Sequence, residues 1–208
     1  MTVRKGQEWG SLVVPGPGMR IVHTDAELRD LVLSTRSGGH LLPVVGLLGG
    51  DLMRTLGGTG DATRLSGDEP IPHLPIDLVS VAADGGEPTL FVSHLISRGR
   101  TWWRGPITAA MNGQFIGRWD VSPRCHPNDG RVDVVTVSAE LGVQQRWMAR
   151  PRLLLGTHVP HPLITIRQHS SVRIDLGSPR VVWLDGRRWT TATTLQLTVE
   201  PDALVICV

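Results

Sequence analysis

The chain has 208 residues, of which 40% are hydrophobic and 19% charged, and its mean hydropathy is close to zero. That composition can bury a core and argues against a disordered or fibrous chain. The formal net charge is only +2, and the basic residues are almost all arginine, scattered along the chain with Lys5 the single lysine, which argues against a nucleic-acid arm.

Cys125 and Cys207 are too few and too far apart for a disulfide framework or a cysteine zinc site. The opening MTVRKGQEWGSLVV lacks a sustained apolar core of signal-peptide type. The longest apolar run, Leu41 to Leu48, is interrupted by Pro43 and Gly46 and cannot span a bilayer. A cytoplasmic protein without stable membrane insertion is expected.

Gly16-Pro17-Gly18 reads as a turn. From Asp25 to Arg36, Leu28, Leu31 and Val32 recur at helical spacing, with Thr24 as N-cap and Glu27 in a capping-box position. A bend at Gly38-Gly39 leads into LLPVVGLL, a buried-strand pattern, and Gly49-Gly50-Asp51 opens a second short helix to about Leu56. Residues 57–75, rich in Gly, Asp and Pro, read as a linker, dividing the chain into an α/β unit over 1–75 and a β-rich domain over 76–208.

The second unit contains the strand-like runs IDLVSVA, TLFVSHLI, VDVVTVS, LITIRQ, SVRIDL, RVVWLDG, LQLTVE and ALVICV, separated by Asp-Gly, Pro and Gly turns. Such spacing predicts an antiparallel sandwich or barrel. Between Ser138 and Leu155 a helix broken near Pro151 is expected.

Four patterns in this half, in order along the chain, carry a resemblance: Met111-Asn112-Gly113 with Gly117; Pro123 followed by Asn128-Asp129-Gly130-Arg131-Val132-Asp133-Val134-Val135; Gly156-Thr157-His158 with Pro160 and Pro162; and Leu184-Asp185-Gly186. Together they resemble the C-terminal domain of the diacylglycerol kinase, sphingosine kinase and bacterial lipid kinase superfamily. The implied fold is a truncated α/β nucleotide-binding-like subdomain followed by a diacylglycerol-kinase-type antiparallel β-sandwich.

The family's phosphate-cradling GGDGT loop has its best likeness in His23-Thr24-Asp25-Ala26-Glu27-Leu28, where the aspartate survives and every glycine is gone. The second phosphate-side motif resembles Gly49-Gly50-Asp51-Leu52-Met53-Arg54-Thr55-Leu56-Gly57, or alternatively Gly58-Thr59-Gly60-Asp61-Ala62-Thr63-Arg64-Leu65. About two dozen residues precede the first motif, too few for the usual opening strand, helix and strand.

Carried over residue by residue, the resemblance implies Asp185 and Asp51 as catalytic, and Asp25, Gly49, Gly50 and Asp51 around magnesium and ATP. It also implies a structural magnesium at Asp129 with backbone carbonyls near His126 and Arg131. The glutamate of the family's D-G-E is Arg187 here, a permanent cation that cannot serve as a base. With the glycines lost as well, ATP use is in question.

Simpler roles stand beside these. Asp-Gly pairs are ordinary hairpin dipeptides, and Asp25 and Asp51 suit first helical turns. His158 and His161 could face one cation, but turn residues packed under the sandwich fit better. Most tryptophans are expected in the core, since the chain has no tyrosine.

The reading that results is a diacylglycerol-kinase-like protein with damaged ATP motifs that binds a lipid or other small molecule in its interdomain cleft. The alternatives are an active ATP/magnesium-dependent kinase, and a cleft recruited for acid–base chemistry such as an isomerisation or cyclisation. A lost opening strand would leave a sheet edge, so a homodimer is expected.

Overall fold

A computed structural model describes residue 3, residues 9–16 and residues 18–208. Most of the opening segment and Pro17, the centre of the expected turn, lie outside these residues.

Two short strands open the chain, β1 (Ser11–Val13) and β2 (Arg20–Val22). Helix α1 (Asp25–Ser37) follows where the periodicity places it, with Thr24 Oγ1 accepting the Glu27 N–H at 3.1 Å. The Glu27 carboxylate reaches back to the His23 N–H at 2.8 Å. Next come β3 (Val45–Leu47), α2 (Asp51–Thr55) and α3 (Ala62–Ser66). An opening strand is therefore present as the short β2, and the segment expected to be a linker holds α3 and the start of β4 (Ile71–Ala83).

The remainder is mostly strand: β5 (Thr89–Phe91), β6 (His94–Arg98), β7 (Ile107–Met111), the hairpin β8 (Phe115–Ile116) and β9 (Trp119–Asp120), and β10 (Val132–Val137). Then come α4 (Val143–Leu153), β11 (Ile164–His169), β12 (Ser171–Leu184) and β13 (Arg187–Cys207). Pro151 sits in the last turn of α4 and does not break it. SVRIDL and RVVWLDG form one strand with an irregularity between Asp175 and Arg180, and LQLTVE and ALVICV likewise belong to β13.

Among the described residues, eleven strands join in one sheet, eight of them along the path β1-β4-β13-β12-β6-β7-β10-β11, with antiparallel pairing throughout that path. β3 pairs in parallel with both β2 and the end of β13, at Ile206 and Cys207, so the α/β elements extend the same sheet.

Val79 and Val81 of β4 share a core with Ala110 of β7 and Val132 of β10, strands far apart in the sheet order, so the sheet must curl over this core. Alternation then sends Ile96, Ala109, Met111 and Val135 to the opposite face, which supports a second apolar cluster with Leu141 and Ile164. A third cluster joins Leu28 and Val32 of α1 and Leu52 of α2 to Ile76, Leu78 and Ile206, welding the first 75 residues to the sheet.

Candidate functional site

The site begins where β3 hands over to α2. Gly49 and Gly50 make this turn because no side chain fits. A Cβ at Gly49 would stand 2.3 Å from the His23 carbonyl oxygen, and Gly50 adopts φ +99° with Asp25 Oδ1 only 2.3 Å from where its Cβ would be. That close approach lets the Asp25 carboxylate accept the first free N–H groups of α2, from Asp51 at 2.7 Å and Leu52 at 3.2 Å.

Asp51, on the next residue, accepts the Gly117 N–H at 2.8 Å through Oδ1 and presents Oδ2 to His94 Nδ1 at 3.5 Å. Arg54 Nη1 donates to the Gly117 carbonyl at 2.7 Å and its guanidinium lies 4.2 Å over the Phe115 ring, so the β8–β9 hairpin is tied to α2.

Asp185 arrives from the β12–β13 hairpin. It has φ +48°, is 6% exposed, and its carboxylate accepts three backbone N–H groups, from Val92 at 3.1 Å, Ser93 at 2.9 Å and His94 at 3.1 Å. Its own N–H donates to the His94 carbonyl at 2.9 Å. The hairpin and the start of β6 are thereby locked together, which fixes the His94 ring in the cleft.

Burial, with the Asp185 charge close by, raises the Asp25 carboxyl to about 7. Burial raises Asp185 to about 6 and also raises Asp51. It lowers His94 to about 4, so that ring is neutral at physiological pH.

Thr24, Asp25, Gly50, Asp51, His94 and Asp185 line an open cleft of about 380 Å³, together with Arg98, Trp102, Ile116 and Trp183. Arg98 is stacked between two rings, 4.8 Å from the Trp102 centroid and 4.6 Å from that of Trp183. Asp25, Asp51 and His94 each offer a ligand atom within 4.8 Å of the others. Two carboxylates fit magnesium, which takes oxygen ligands and keeps waters, while the imidazole better suits a manganese- or zinc-type ion.

Beside the cleft lies an apolar cavity of about 500 Å³ under α4, walled by residues such as Trp103, Trp119, Val135, Leu141 and Leu153. Trp102 and Ile116 line both spaces. One titratable ring enters this cavity: His158 is 5% exposed, and among the described residues neither ring nitrogen makes a hydrogen bond, with the Val121 backbone and Asp120 as its polar neighbours.

With this geometry in hand, residues 81–208 match the family model described as the YegS C-terminal NAD kinase beta sandwich-like domain. The chain belongs to that family. Among solved structures it is similar to three from Bacillus anthracis str. Sterne, each assigned as a diacylglycerol kinase. Their TM-scores are 0.66, 0.65 and 0.58 at 15%, 13% and 15% identity. Each match covers 89% of this chain, and 76%, 76% and 74% of the respective relative. A comparison with curated protein sequences found no match.

Of the residues that the family resemblance singles out, Asp25, Gly50, Asp51 and Asp185 come together in the cleft, and Gly49 supports the turn beneath it. Asp61, the alternative to Asp51, is an exposed N-cap of α3. Arg187, which stands for the family's glutamate, is exposed and binds Asp30 of α1 at 2.6 Å.

Asp129, His126 and Arg131 do not line the cleft. Asp129 Oδ1 accepts the Arg131 N–H at 2.9 Å, and burial raises its carboxyl to about 6. The His126 ring packs edge-on against Trp9, with its Nδ1 accepting the Asn128 N–H at 3.2 Å. Beneath them the wholly buried Asp77, unmarked in sequence, accepts N–H groups from Gly130 at 2.7 Å and Asp202 at 2.9 Å.

One expectation needs correcting, and one site residue went unmarked. Most tryptophans are not core residues: Trp102, Trp103 and Trp147 are exposed, Trp183 lines the cleft and Trp119 lines the cavity, while Trp9 and Trp189 pack against the core. His94, which no spacing pattern marks, faces Asp51 from a distant part of the sequence, so only the folded chain brings out its place in the site.

Proposed function

We propose that this protein binds an amphiphilic, lipid-like ligand and has weak or no ATP-dependent kinase activity. The ligand's polar head would lie among Asp25, Asp51, His94 and Asp185, and its apolar body in the cavity under α4. The observation that carries this reading is the shared wall: Trp102 and Ile116 border both a polar cleft and an apolar cavity, the two halves an amphiphile needs.

The start of α1 fits ATP phosphates poorly. The N–H of Glu27 is taken by Thr24 Oγ1, that of Leu28 by the Thr24 carbonyl, and that of His23 by the Glu27 carboxylate. A phosphate would lose these backbone donors and meet an anionic side chain, the reverse of a phosphate cradle. A divalent cation held by Asp25, Asp51 and His94 would draw an anionic or hydroxyl-bearing head group into the cleft.

Acid–base chemistry on the bound ligand is a second reading. It is favoured by two carboxyls raised to about 7 and about 6 beside a neutral imidazole, groups poised near neutral pH.

Purified protein titrated with ATP and magnesium, and separately with detergent-dispersed diacylglycerol, separates these readings by melting temperature. A shift with the lipid alone is the expected result. Transfer of phosphate from ATP to diacylglycerol would overturn the reading.

A further inference from the structure

The surface outside the apolar cavity is built the wrong way round for water. α4 turns Arg146 inward, where its guanidinium donates to the carbonyls of Leu141 and Trp102, both at 2.8 Å, and leaves Trp147 61% and Met148 57% exposed. A helix that only covered a core would do the opposite. Leu155, just beyond the helix, is 75% exposed, and Trp103 joins the same face with its ring centroid 5.8 Å from that of Trp147. Large apolar side chains left exposed together on and beside one helix mark an interaction site.

Its charge identifies the partner. Arg150 and Arg152 on α4 and Arg104 beside Trp103 are all exposed, and Arg150 lies 5.8 Å from the Trp147 ring centroid. No aspartate or glutamate occurs from Pro88 to Trp119 or from Leu141 to Ile174, so the segments that form this face carry only positive charge. Tryptophan favours the boundary between head groups and acyl chains, and arginine pairs with phosphate.

We propose that this face docks on a bilayer containing anionic phospholipid, with Trp147, Met148 and Leu155 entering the head-group boundary and Arg104, Arg150 and Arg152 on the lipid phosphates. The mode is interfacial, since no helix among the described residues is long and apolar enough to cross a membrane. A second copy of the chain is a poorer occupant, because a two-fold contact would set arginine against arginine. Trp103, Arg150 and Leu153 also line the cavity, so docking would bring its wall to the lipid; in that respect the inference rests on the proposed ligand.

Flotation with vesicles of phosphatidylcholine, with and without phosphatidylglycerol, tests the surface. The wild-type protein should float with the anionic vesicles and show blue-shifted tryptophan emission. Binding should fall at least about tenfold for Trp147→Ala combined with Leu155→Ala, and likewise for Arg150→Glu combined with Arg152→Glu. These side chains are exposed, so the variants should melt like the wild type.

Wild-type protein that stays behind, variants that bind like wild type, or a dimer that Trp147→Ala dissociates without any vesicle binding would each overturn the proposal. Binding of detergent-dispersed diacylglycerol with no vesicle binding overturns this inference alone. Vesicle binding with no diacylglycerol binding overturns only the ligand reading.

Discussion

The Asp25 carboxylate accepts the Asp51 N–H at 2.7 Å while Asp25 Oδ1 lies 2.3 Å from where a Gly50 Cβ would be, so these acidic residues share one wall only because glycine separates them. Gly50→Ala would force this contact apart at φ +99° and should destabilise the fold by about 2–4 kcal/mol. Gly16→Ala, with nothing among the described residues outside its chain neighbours within 4 Å of the new methyl, is the control and should change stability by less than about 0.5 kcal/mol. Chemical denaturation of both variants measures the difference.

The pH dependence of stability should carry the signature of Asp25. Its folded-state carboxyl is raised from 3.8 to about 7, so the folded protein holds this proton more tightly than the unfolded chain. The resulting stability is full below the unfolded value and is lost as pH rises through about 7. His94, lowered to about 4, acts in the opposite sense between about 4 and 6.5 and contributes little above that.

From pH 6.5 to 8 the wild type should therefore lose roughly 1 kcal/mol, and Asp25→Asn should show a flatter slope. Melting temperature against pH decides it. An equal slope in the two proteins would mean that Asp25 is already ionised at neutral pH.

Asp185 is held by three backbone N–H donors, an arrangement that an amide cannot copy because its NH2 would face N–H groups. Asp185→Asn should cost about 2–3 kcal/mol and loosen the His94 ring, as it removes an anchor as well as a charge. Denaturation gives the first, and the His94 imidazole resonances by NMR give the second.

How much of this was readable beforehand follows from the range of the interactions. α1 and its Thr24 cap, the start of α2 at Asp51 and the Asp185 hairpin are local patterns, and each lies where spacing and turn chemistry put it. The β-rich second half was legible from its alternating runs, although the joins within β12 and β13 were not, because pairing breaks off at Asp175 and Glu200 and resumes only at Arg180 and Leu204.

What stayed hidden depends on chain segments meeting from afar. His94 against Asp51, Asp77 under the Asp129 loop, and the outward Trp147 of α4 leave no periodic trace. The expectation of buried tryptophans failed because amphipathic rings are also suited to cavity walls and interfaces.

His158 offers the last test, because stability and binding should move in opposite directions there. Its two ring nitrogens are buried in an apolar cavity and make no hydrogen bond among the described residues, and burial lowers its pKa, so the ring carries a desolvation cost that its neighbours Val121 and Asp120 offset only in part. His158→Leu keeps a side chain of comparable bulk and removes that cost. It should raise the unfolding free energy of the ligand-free protein by about 1 kcal/mol while weakening binding of diacylglycerol, whose acyl ester carbonyl would partner the ring. Denaturation and calorimetric titration on the same preparation measure both. A variant that is less stable than the wild type would show that the ring already has a partner and that the cavity does not hold it ready for a ligand.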